Sequence, residues 1–265
     1  MFFLNRLIER LFRPDNIAAA ARRAGYVSDQ LGIGRRYARE HDGWQPHLDN
    51  TRRFIVNAAA CAANHRSAVV LGSGWLLDVP IEQLASMFVD VWLVDIVHPQ
   101  PVQAKVLHMP NVHLLTVDLT GGAVLQAECA GSLSQFVDWL PTAHLGINLD
   151  DYDFVVSVNL LNQLDILLCD YLSSRFSATT RQLEPVRRMV QQHHINSLPC
   201  GKSCLITDYE QVDISVVDGT SASRQLIYCS LPVGAAAAEW LWHFDTNQRY
   251  SVKNNTIFKV KAYCF

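Results

Sequence analysis

Short apolar segments that end in glycine or in a polar residue recur along the chain from Ser67 onward. They read AVVLGSG, VWLVDIV, VHLLTVDL, YDFVVSVN and CLITDY. Apolar runs of this length are typical of parallel strands that are buried on both faces. Helical patterns separate them, at about 80–88, around 132–144 and over 160–197. Strands that alternate with helices predict an α/β fold with a doubly wound, mostly parallel sheet and right-handed crossovers.

The two ends of the chain depart from this alternation. EWLWHF and TIFKVKAYCF are separated by the polar segment NQRYSVKNN, which predicts an antiparallel C-terminal hairpin and brings the sheet to seven strands. Residues 1–65 have a helical pattern with expected breaks near Gly32–Gly34 and at Asp42-Gly43, and Pro46 suits the first turn of a new helix. We therefore expect a helical N-terminal extension over 1–65 and one compact domain over 66–265.

The composition excludes several classes of protein. The chain has 265 residues, of which 49% are hydrophobic and 18% charged, with a formal net charge of −3. This balance is unlike that of a disordered chain or of a generally basic nucleic-acid binder. The seven cysteines are scattered and odd in number, which indicates reduced thiols in a cytoplasmic protein. No apolar run approaches the ~18 residues of a membrane span, so no integral membrane segment is expected.

The first residues, MFFLNRLIERLFRPD, form an amphipathic pattern that Pro14 ends. One interpretation is a helix that packs on its own domain or on a second copy in a homo-oligomer. The other is weak peripheral contact of residues 2–13 with a membrane surface, since phenylalanines and arginines flank the apolar stripe. The pattern alone leaves both open.

Small or polar residues stand at the carboxyl ends of the first four predicted strands. Gly72 and Gly74 follow the first strand, and Asp95 ends the second, 21 residues after Gly74. Asp118 ends the third strand and Asn159 the fourth. Glycines allow a sharp turn close to a ligand, and an acid at the Asp95 spacing is suited to ribose hydroxyls. Because ligands of open α/β sheets bind at this edge, the pattern predicts a nucleotide-like site there.

On these residues the chain resembles the class I S-adenosylmethionine-dependent methyltransferases over 66–265, including the terminal hairpin. VVLGSG is similar to the family's glycine-rich first motif, VWLVDIV to its acidic second strand, VHLLTVDLTG to its adenine-side motif and YDFVVSVNLLNQL to its fourth motif. The resemblance implies S-adenosylmethionine as the cofactor. The cofactor-binding residues that it implies are Gly72, Ser73, Gly74, Asp78, Asp95, Ile96, Asp118, Leu119 and Asn159.

The resemblance also implies individual roles. Gly72 and Gly74 would pass close to the methionine and ribose portions, and Asp95 would bind the ribose hydroxyls. Asp118 would bind the adenine amino group, and Asn159 would line the floor near the sulfonium. N-terminal helices close over the cofactor in this family. The candidates for that segment here are Trp44, His47, Asn50 and Arg53.

Two departures from the family pattern bear on function. Val70 stands where the family has an acid before its first glycine, and Asp78 follows downstream as a displaced carboxylate. Ser157-Val158-Asn159 replaces the Asn/Asp-Pro-Pro-Tyr pattern of enzymes that methylate amino groups of nucleic acids. The sequence therefore favours a small-molecule acceptor over a nucleic acid. A non-catalytic binding or assembly protein is the alternative. A nicotinamide-dependent oxidoreductase is disfavoured by the hairpin and by Leu77, where its third glycine would be.

A methyl transfer needs an aligned acceptor and, for many acceptors, a base. Several side chains after the predicted strands and in the long helical region could serve, and the sequence does not choose among them. These candidates are His98, His193, His194, Asp208 and Tyr209. A zinc site built from the paired histidines with Cys200 and Cys204 is not expected, because Cys204 lies inside an apolar strand.

Overall fold

The computed structural model describes residues 14–232 and 238–265. The predicted amphipathic helix at the N-terminus, with its membrane-contacting residues 2–13, lies outside the described residues. Within them, no helix is long and apolar enough to cross a membrane.

The described residues form one sheet of eight strands. The strands are β1 Ser67–Leu71, β2 Asp90–Asp95, β3 Val112–Thr116, β4 Phe154–Val158, β5 Ser203–Ser215, β6 Ser221–Gln225, β7 Ala238–Asp245 and β8 Asn254–Cys264. Their order in the sheet is β3-β2-β1-β4-β5-β8-β7, and β6 pairs with β5 outside this order. The first five strands run parallel, and β8 is antiparallel to both β5 and β7.

The fold class is confirmed: the sheet is doubly wound and mostly parallel, and its C-terminal hairpin is antiparallel. The predicted number of seven strands is wrong, because β6 adds an eighth. β5 extends past the core to Ser215, and β6 pairs with this outer part from Glu210 to Ile214. Every residue of β6 is exposed, so its sequence, SASRQ, carries no apolar alternation that could have indicated a strand.

Helices cover both faces of the sheet. They are α1 Pro14–Arg23, α2 Tyr26–Ala60, α3 Ile81–Met87, α4 Gln100–Val106, α5 Ala123–Cys129, α6 Leu133–Trp139, α7 Ile166–Phe176 and α8 Thr180–Ser197, with 3-10 turns at Leu140–Thr142 and Leu149–Asp151. Alternate residues of β1 face the two layers. Val70 packs in the core that includes Trp44 of α2, whereas Val69 and Leu71 pack against α7 and α8.

The break predicted near Gly32–Gly34 is wrong, since α2 continues through it. The break predicted at Asp42-Gly43 corresponds to a kink two residues earlier, where the backbone of Glu40 is not helical, and Pro46 lies in the part of α2 that follows it. Its glycines allow close packing instead. A Cβ at Gly34 would stand 2.9 Å from the Trp75 ring, and one at Gly43 would stand 2.9 Å from the His243 carbonyl oxygen. These two glycines therefore let α2 approach the loop after β1 on one side and β7 on the other.

Candidate functional site

A cavity of about 390 Å³ opens at the carboxyl ends of the central strands. Its volume lies within the ~300–1,000 Å³ range of small-molecule sites. All nine residues that the sequence predicted for cofactor binding line it: Gly72, Ser73, Gly74, Asp78, Asp95, Ile96, Asp118, Leu119 and Asn159. They come from four different strand ends, and the parallel sheet brings those ends to one edge.

The turn after β1 is built on left-handed backbone. Gly72 has φ +76° and Gly74 has φ +46°, a region that L side chains rarely adopt. At Gly72 a Cβ would also press on the Leu160 side chain at 3.0 Å, whereas at Gly74 it would meet nothing closer than 3.9 Å. Between them, the buried hydroxyl of Ser73 has no hydrogen-bond partner. The turn therefore leaves open space beside Gly74 and an unsatisfied polar atom at the cavity.

Asp95 holds this turn against β2. One carboxylate oxygen accepts a hydrogen bond from the Gly74 N–H at 2.8 Å, and the other accepts from the N–H groups of Ile96 at 2.7 Å and Val97 at 3.3 Å. Burial raises the pKa of Asp95, and these hydrogen bonds oppose the shift. A carboxylate has about four acceptor positions. Three are used here, so one is left for a hydroxyl group of a ligand.

Asp118 stabilises the loop that leads into α5. Its Oδ1 accepts from the backbone N–H of Thr120 at 2.9 Å and from the Thr120 hydroxyl at 2.5 Å. Its Oδ2 accepts from the N–H of Val124, in the first turn of α5, at 3.0 Å. Burial raises the pKa of this carboxyl group. Asp118 thus fixes the backbone on which the neighbouring Leu119 side chain lines the cavity.

A buried chain of hydrogen bonds connects α2, β7 and the end of β4. The indole N–H of Trp240 donates to Nδ1 of His47 at 3.0 Å. His47 Nε2 lies 3.1 Å from the Asn159 amide, and the same amide atom lies 2.6 Å from Oδ2 of Asp78. Burial lowers the pKa of His47 to about 3, so its ring is neutral.

The tautomer of His47 follows from the hydrogen bond that Trp240 donates to it. An indole N–H can only donate, so His47 Nδ1 is an acceptor and Nε2 carries the ring proton. The Asn159 amide nitrogen donates a hydrogen bond to Oδ2 of Asp78. Burial raises the pKa of Asp78, and this hydrogen bond opposes the shift.

Asp208 is the catalytic candidate that the fold brings into the cavity. It lies on β5 next to a register shift between Asp208 and Glu210 and is 2% exposed. Asn162 donates a hydrogen bond to its Oδ2 at 2.8 Å, while its Oδ1 has no partner. Burial raises the pKa of Asp208 to about 7, and the nearby Asp78 adds to the shift. A buried carboxyl group with a free oxygen and this pKa is suited to proton transfer near neutral pH.

The other catalytic candidates lie outside the cavity lining. His194 bonds to the Ser157 hydroxyl at 2.8 Å, and burial lowers its pKa to about 4. Nε2 of His98 lies 3.2 Å from the backbone oxygen of Leu115, at the β3 edge. The Tyr209 hydroxyl donates to Glu239 on β7. The candidates that the fold does not bring to the cavity are therefore His98, His193, His194 and Tyr209.

Of the predicted covering segment, Trp44 and His47 line the cavity. Asn50 and Arg53 bond to each other on the outer side of α2 instead. Several further lining residues had no distinguishing signal in the sequence, because they lie in ordinary helical, strand or turn segments: Tyr26, Gln30, Arg36, Asn162, Trp242, Phe244 and Tyr250. In the described parts of the chain, no three His, Cys, Asp or Glu side chains are grouped as a metal site.

Neither a protein-family model nor a curated protein matches this chain. Among solved structures, it is similar to the "DhpI-SAM-HEP complex", with 16% identity, 89% of this chain and 97% of that chain covered and a TM-score of 0.37. It is also similar to an rRNA methylase from Streptococcus thermophilus, with 9% identity, coverage of 81% and 94%, and a TM-score of 0.31. A likeness with TM-scores this low assigns neither a family nor an activity to the chain.

Proposed function

We propose that the cavity binds S-adenosylmethionine and that the chain transfers its methyl group to a small-molecule acceptor. The observation that carries the proposal is the convergence of all nine predicted cofactor residues on one cavity that also contains the buried carboxyl group of Asp208. The sheet supports it as well, because β8 inserted antiparallel between β5 and β7 is the terminal hairpin of the methyltransferase fold that the sequence resembles.

The cavity offers contacts for each part of the cofactor. The remaining acceptor position of Asp95 is suited to a ribose hydroxyl group. Ile96 and Leu119 would pack on the adenine ring. The open backbone at Gly74 and the free hydroxyl of Ser73 would face the methionine portion. The residues present therefore fit this cofactor.

Contacts also support a role for Asp78, the acid that follows downstream of the position where the family has its carboxylate. Val70 is fully buried in the core and does not line the cavity. Asp78 lines the cavity beside Asn159 and accepts a hydrogen bond from its amide nitrogen. A cationic ligand placed next to Asp78 would favour its ionised form. We assign Asp78 and Asn159 to the part of the cavity that receives the positively charged end of the cofactor.

The bound cofactor would supply an electrophilic methyl group on a positively charged sulfur. The chain must orient the acceptor, exclude water and remove a proton. Asp208 Oδ1 and Asn162 Oδ1 are both buried without a partner. Both oxygens can accept hydrogen bonds, so they are suited to a methyl acceptor that presents an O–H or N–H group. Asp208 would take that proton, and α2 with Trp242 and Phe244 would shield the site from water.

Calorimetric titration of the purified protein with S-adenosylmethionine, S-adenosylhomocysteine and NAD tests the proposal. We expect both sulfur compounds to bind and NAD not to bind. Asp95→Asn removes part of the ribose contact and should weaken S-adenosylhomocysteine binding by about 10-fold or more. Asp90→Asn, at the exposed start of the same strand, is the matched control and should leave the affinity unchanged. Absence of binding by both sulfur compounds would refute the proposal.

The core position of Val70 favours one alternative function. A fold that lacks the usual carboxylate before its first glycine could bind the cofactor without catalysis and act as a binding or assembly partner. Binding of S-adenosylhomocysteine without turnover of O–H and N–H acceptors in a broad panel would favour this alternative. Turnover that is lost in Asp208→Asn, while binding is retained, would exclude it.

A further inference from the structure

Two cysteines face each other across neighbouring strands, away from the proposed cofactor cavity. Cys204 lies on β5 and Cys264 on β8, and the two are direct register partners. Cys204 is buried and Cys264 is exposed. Neither residue lines the cavity, and the proposed methyl transfer uses neither thiol.

The hydrogen-bond pattern of the strands fixes the geometry of this pair. The adjacent residues Ser203 and Phe265 exchange both backbone hydrogen bonds, each at 3.0 Å. Opposite residues in an antiparallel pair alternate between hydrogen-bonded and non-hydrogen-bonded positions. Cys204 and Cys264 therefore occupy a non-hydrogen-bonded position, where Cα atoms are about 4.5 Å apart and side chains approach most closely. Disulfides span Cα separations of about 4.4–6.8 Å, so the backbone need not move to join this pair.

The electrostatics of the pair distinguish the two thiols. The interaction between them lowers the pKa of Cys264 and raises the pKa of Cys204, and burial raises the pKa of Cys204 further. Nucleophilic attack requires the thiolate, so the exposed Cys264 is the attacking group and Cys204 is the second thiol. The other five cysteines in the sequence have no such partner opposite them in the described strands.

We propose that Cys204 and Cys264 form a thiol–disulfide exchange site for a small disulfide of the glutathione type. The Cys264 thiolate attacks one sulfur of oxidised glutathione, a new S–S bond forms and one glutathione thiolate leaves. Cys204 then loses its proton and attacks the Cys264 sulfur, and the second glutathione thiolate leaves. Two protein thiols are oxidised to one disulfide, and one glutathione disulfide is reduced to two thiols.

The bond would close a ring that contains β6, β7 and most of β5 and β8. Cross-linking residues this far apart in sequence restricts the unfolded chain and stabilises the fold. β5 also carries Asp208, four residues after Cys204. Because the bond forms without backbone movement, we expect the cavity to keep its shape and its affinity for S-adenosylhomocysteine.

The experiment treats the full-length folded protein with oxidised glutathione, quenches with an alkylating reagent and maps the cysteine peptides by mass spectrometry. We expect a Cys204–Cys264 cross-link, a loss of two of the seven free thiols and a higher Tm that dithiothreitol reverses. In Cys204→Ser a stable glutathione adduct should accumulate on Cys264, because the second thiol is missing. Cys200→Ser, which removes an exposed cysteine in the preceding turn, is the control and should still form the cross-link.

Two results would overturn the proposal. One is a glutathione adduct that persists on Cys264 in the unmodified sequence without any cross-link to Cys204. The other is equal reaction of the exposed Cys61, Cys129 and Cys200, with no preference for Cys264. Neither result depends on cofactor binding, so this proposal and the proposed methyl transfer stand or fall separately.

Discussion

Asp208→Asn should stabilise the protein at alkaline pH and abolish its proposed activity. The side chain of Asp208 is 2% exposed, and only its Oδ2 has a hydrogen-bond partner, the Asn162 amide. Burial raises the pKa of Asp208 to about 7, compared with 3.8 for an unperturbed aspartate. The folded state therefore holds a proton that the unfolded chain releases between about pH 4 and pH 7.

The sign and size of the effect follow from proton linkage. The folded state binds more protons than the unfolded state in this window, so the free energy of unfolding falls as pH rises through it. Each unit of pKa difference corresponds to about 1.4 kcal/mol. The free energy of unfolding therefore falls by about 2–3 kcal/mol from pH 5 to pH 8, and the whole effect of the pKa difference is about 4 kcal/mol. Asparagine cannot ionise and avoids this loss, while its side-chain oxygen can still accept from Asn162.

The assay is urea unfolding of both proteins at several pH values between 5 and 8, with S-adenosylhomocysteine affinity measured in parallel. The stability advantage of Asp208→Asn should grow by about 2–3 kcal/mol across this range. Asp150→Asn, at an exposed position, should show a constant difference. A stability difference that does not change with pH would show that Asp208 is ionised and well solvated in the folded protein. Methyl transfer that survives the substitution would show that Asp208 is not the base.

Two further predictions test the packing of α2. Trp240→Phe removes the hydrogen-bond donor to His47 Nδ1. NMR of the imidazole nitrogens should then change from a single Nε2–H tautomer to a mixture of tautomers, and the affinity for S-adenosylhomocysteine should fall. An Nδ1–H tautomer in the unmodified protein would contradict the hydrogen bond from Trp240. Gly43→Ala should lower the free energy of unfolding by about 1–3 kcal/mol, because the added Cβ would collide with the His243 carbonyl oxygen. Gly32 has open space around it, so Gly32→Ala should raise the free energy of unfolding by up to about 1 kcal/mol. Equal effects in thermal denaturation would show that the helix does not approach β7 this closely.

The predictable part of the fold was carried by local patterns. Each apolar run that was expected to be a strand contains one, because burial on both faces requires continuous apolar residues. The terminal hairpin was predictable for a similar reason, because its two strands are close in sequence and a polar segment separates them. The glycines of α2 were misleading, since a glycine marks either a flexible break or a close contact and the sequence pattern is the same for both. β6 was missed because all of its side chains are exposed.

The candidate site also has a part that the sequence pattern predicted and a part that it did not. The nine cofactor-binding candidates, all of which line the cavity, were predictable because they lie at or after strand ends. Parallel strands present those ends at one edge of the sheet. The choice among the catalytic candidates was not predictable. Asp208 and Tyr209 are adjacent in sequence, yet only Asp208 lines the cavity. Tyr209 is the extra residue at the register shift between Asp208 and Glu210, and its hydroxyl bonds to Glu239 on β7.

The sequence by itself therefore determined the sheet, the edge at which the candidate site lies and the strand-end residues at that edge. These depend on interactions between residues close in sequence and on the constant geometry of parallel strands. Only the tertiary structure decided which helix covers the edge and what state its polar groups adopt. His47 meets Asn159 across 112 positions and Trp240 across 193. Contacts over such separations arise from how α2 packs against the sheet, and that packing sets the tautomer of His47.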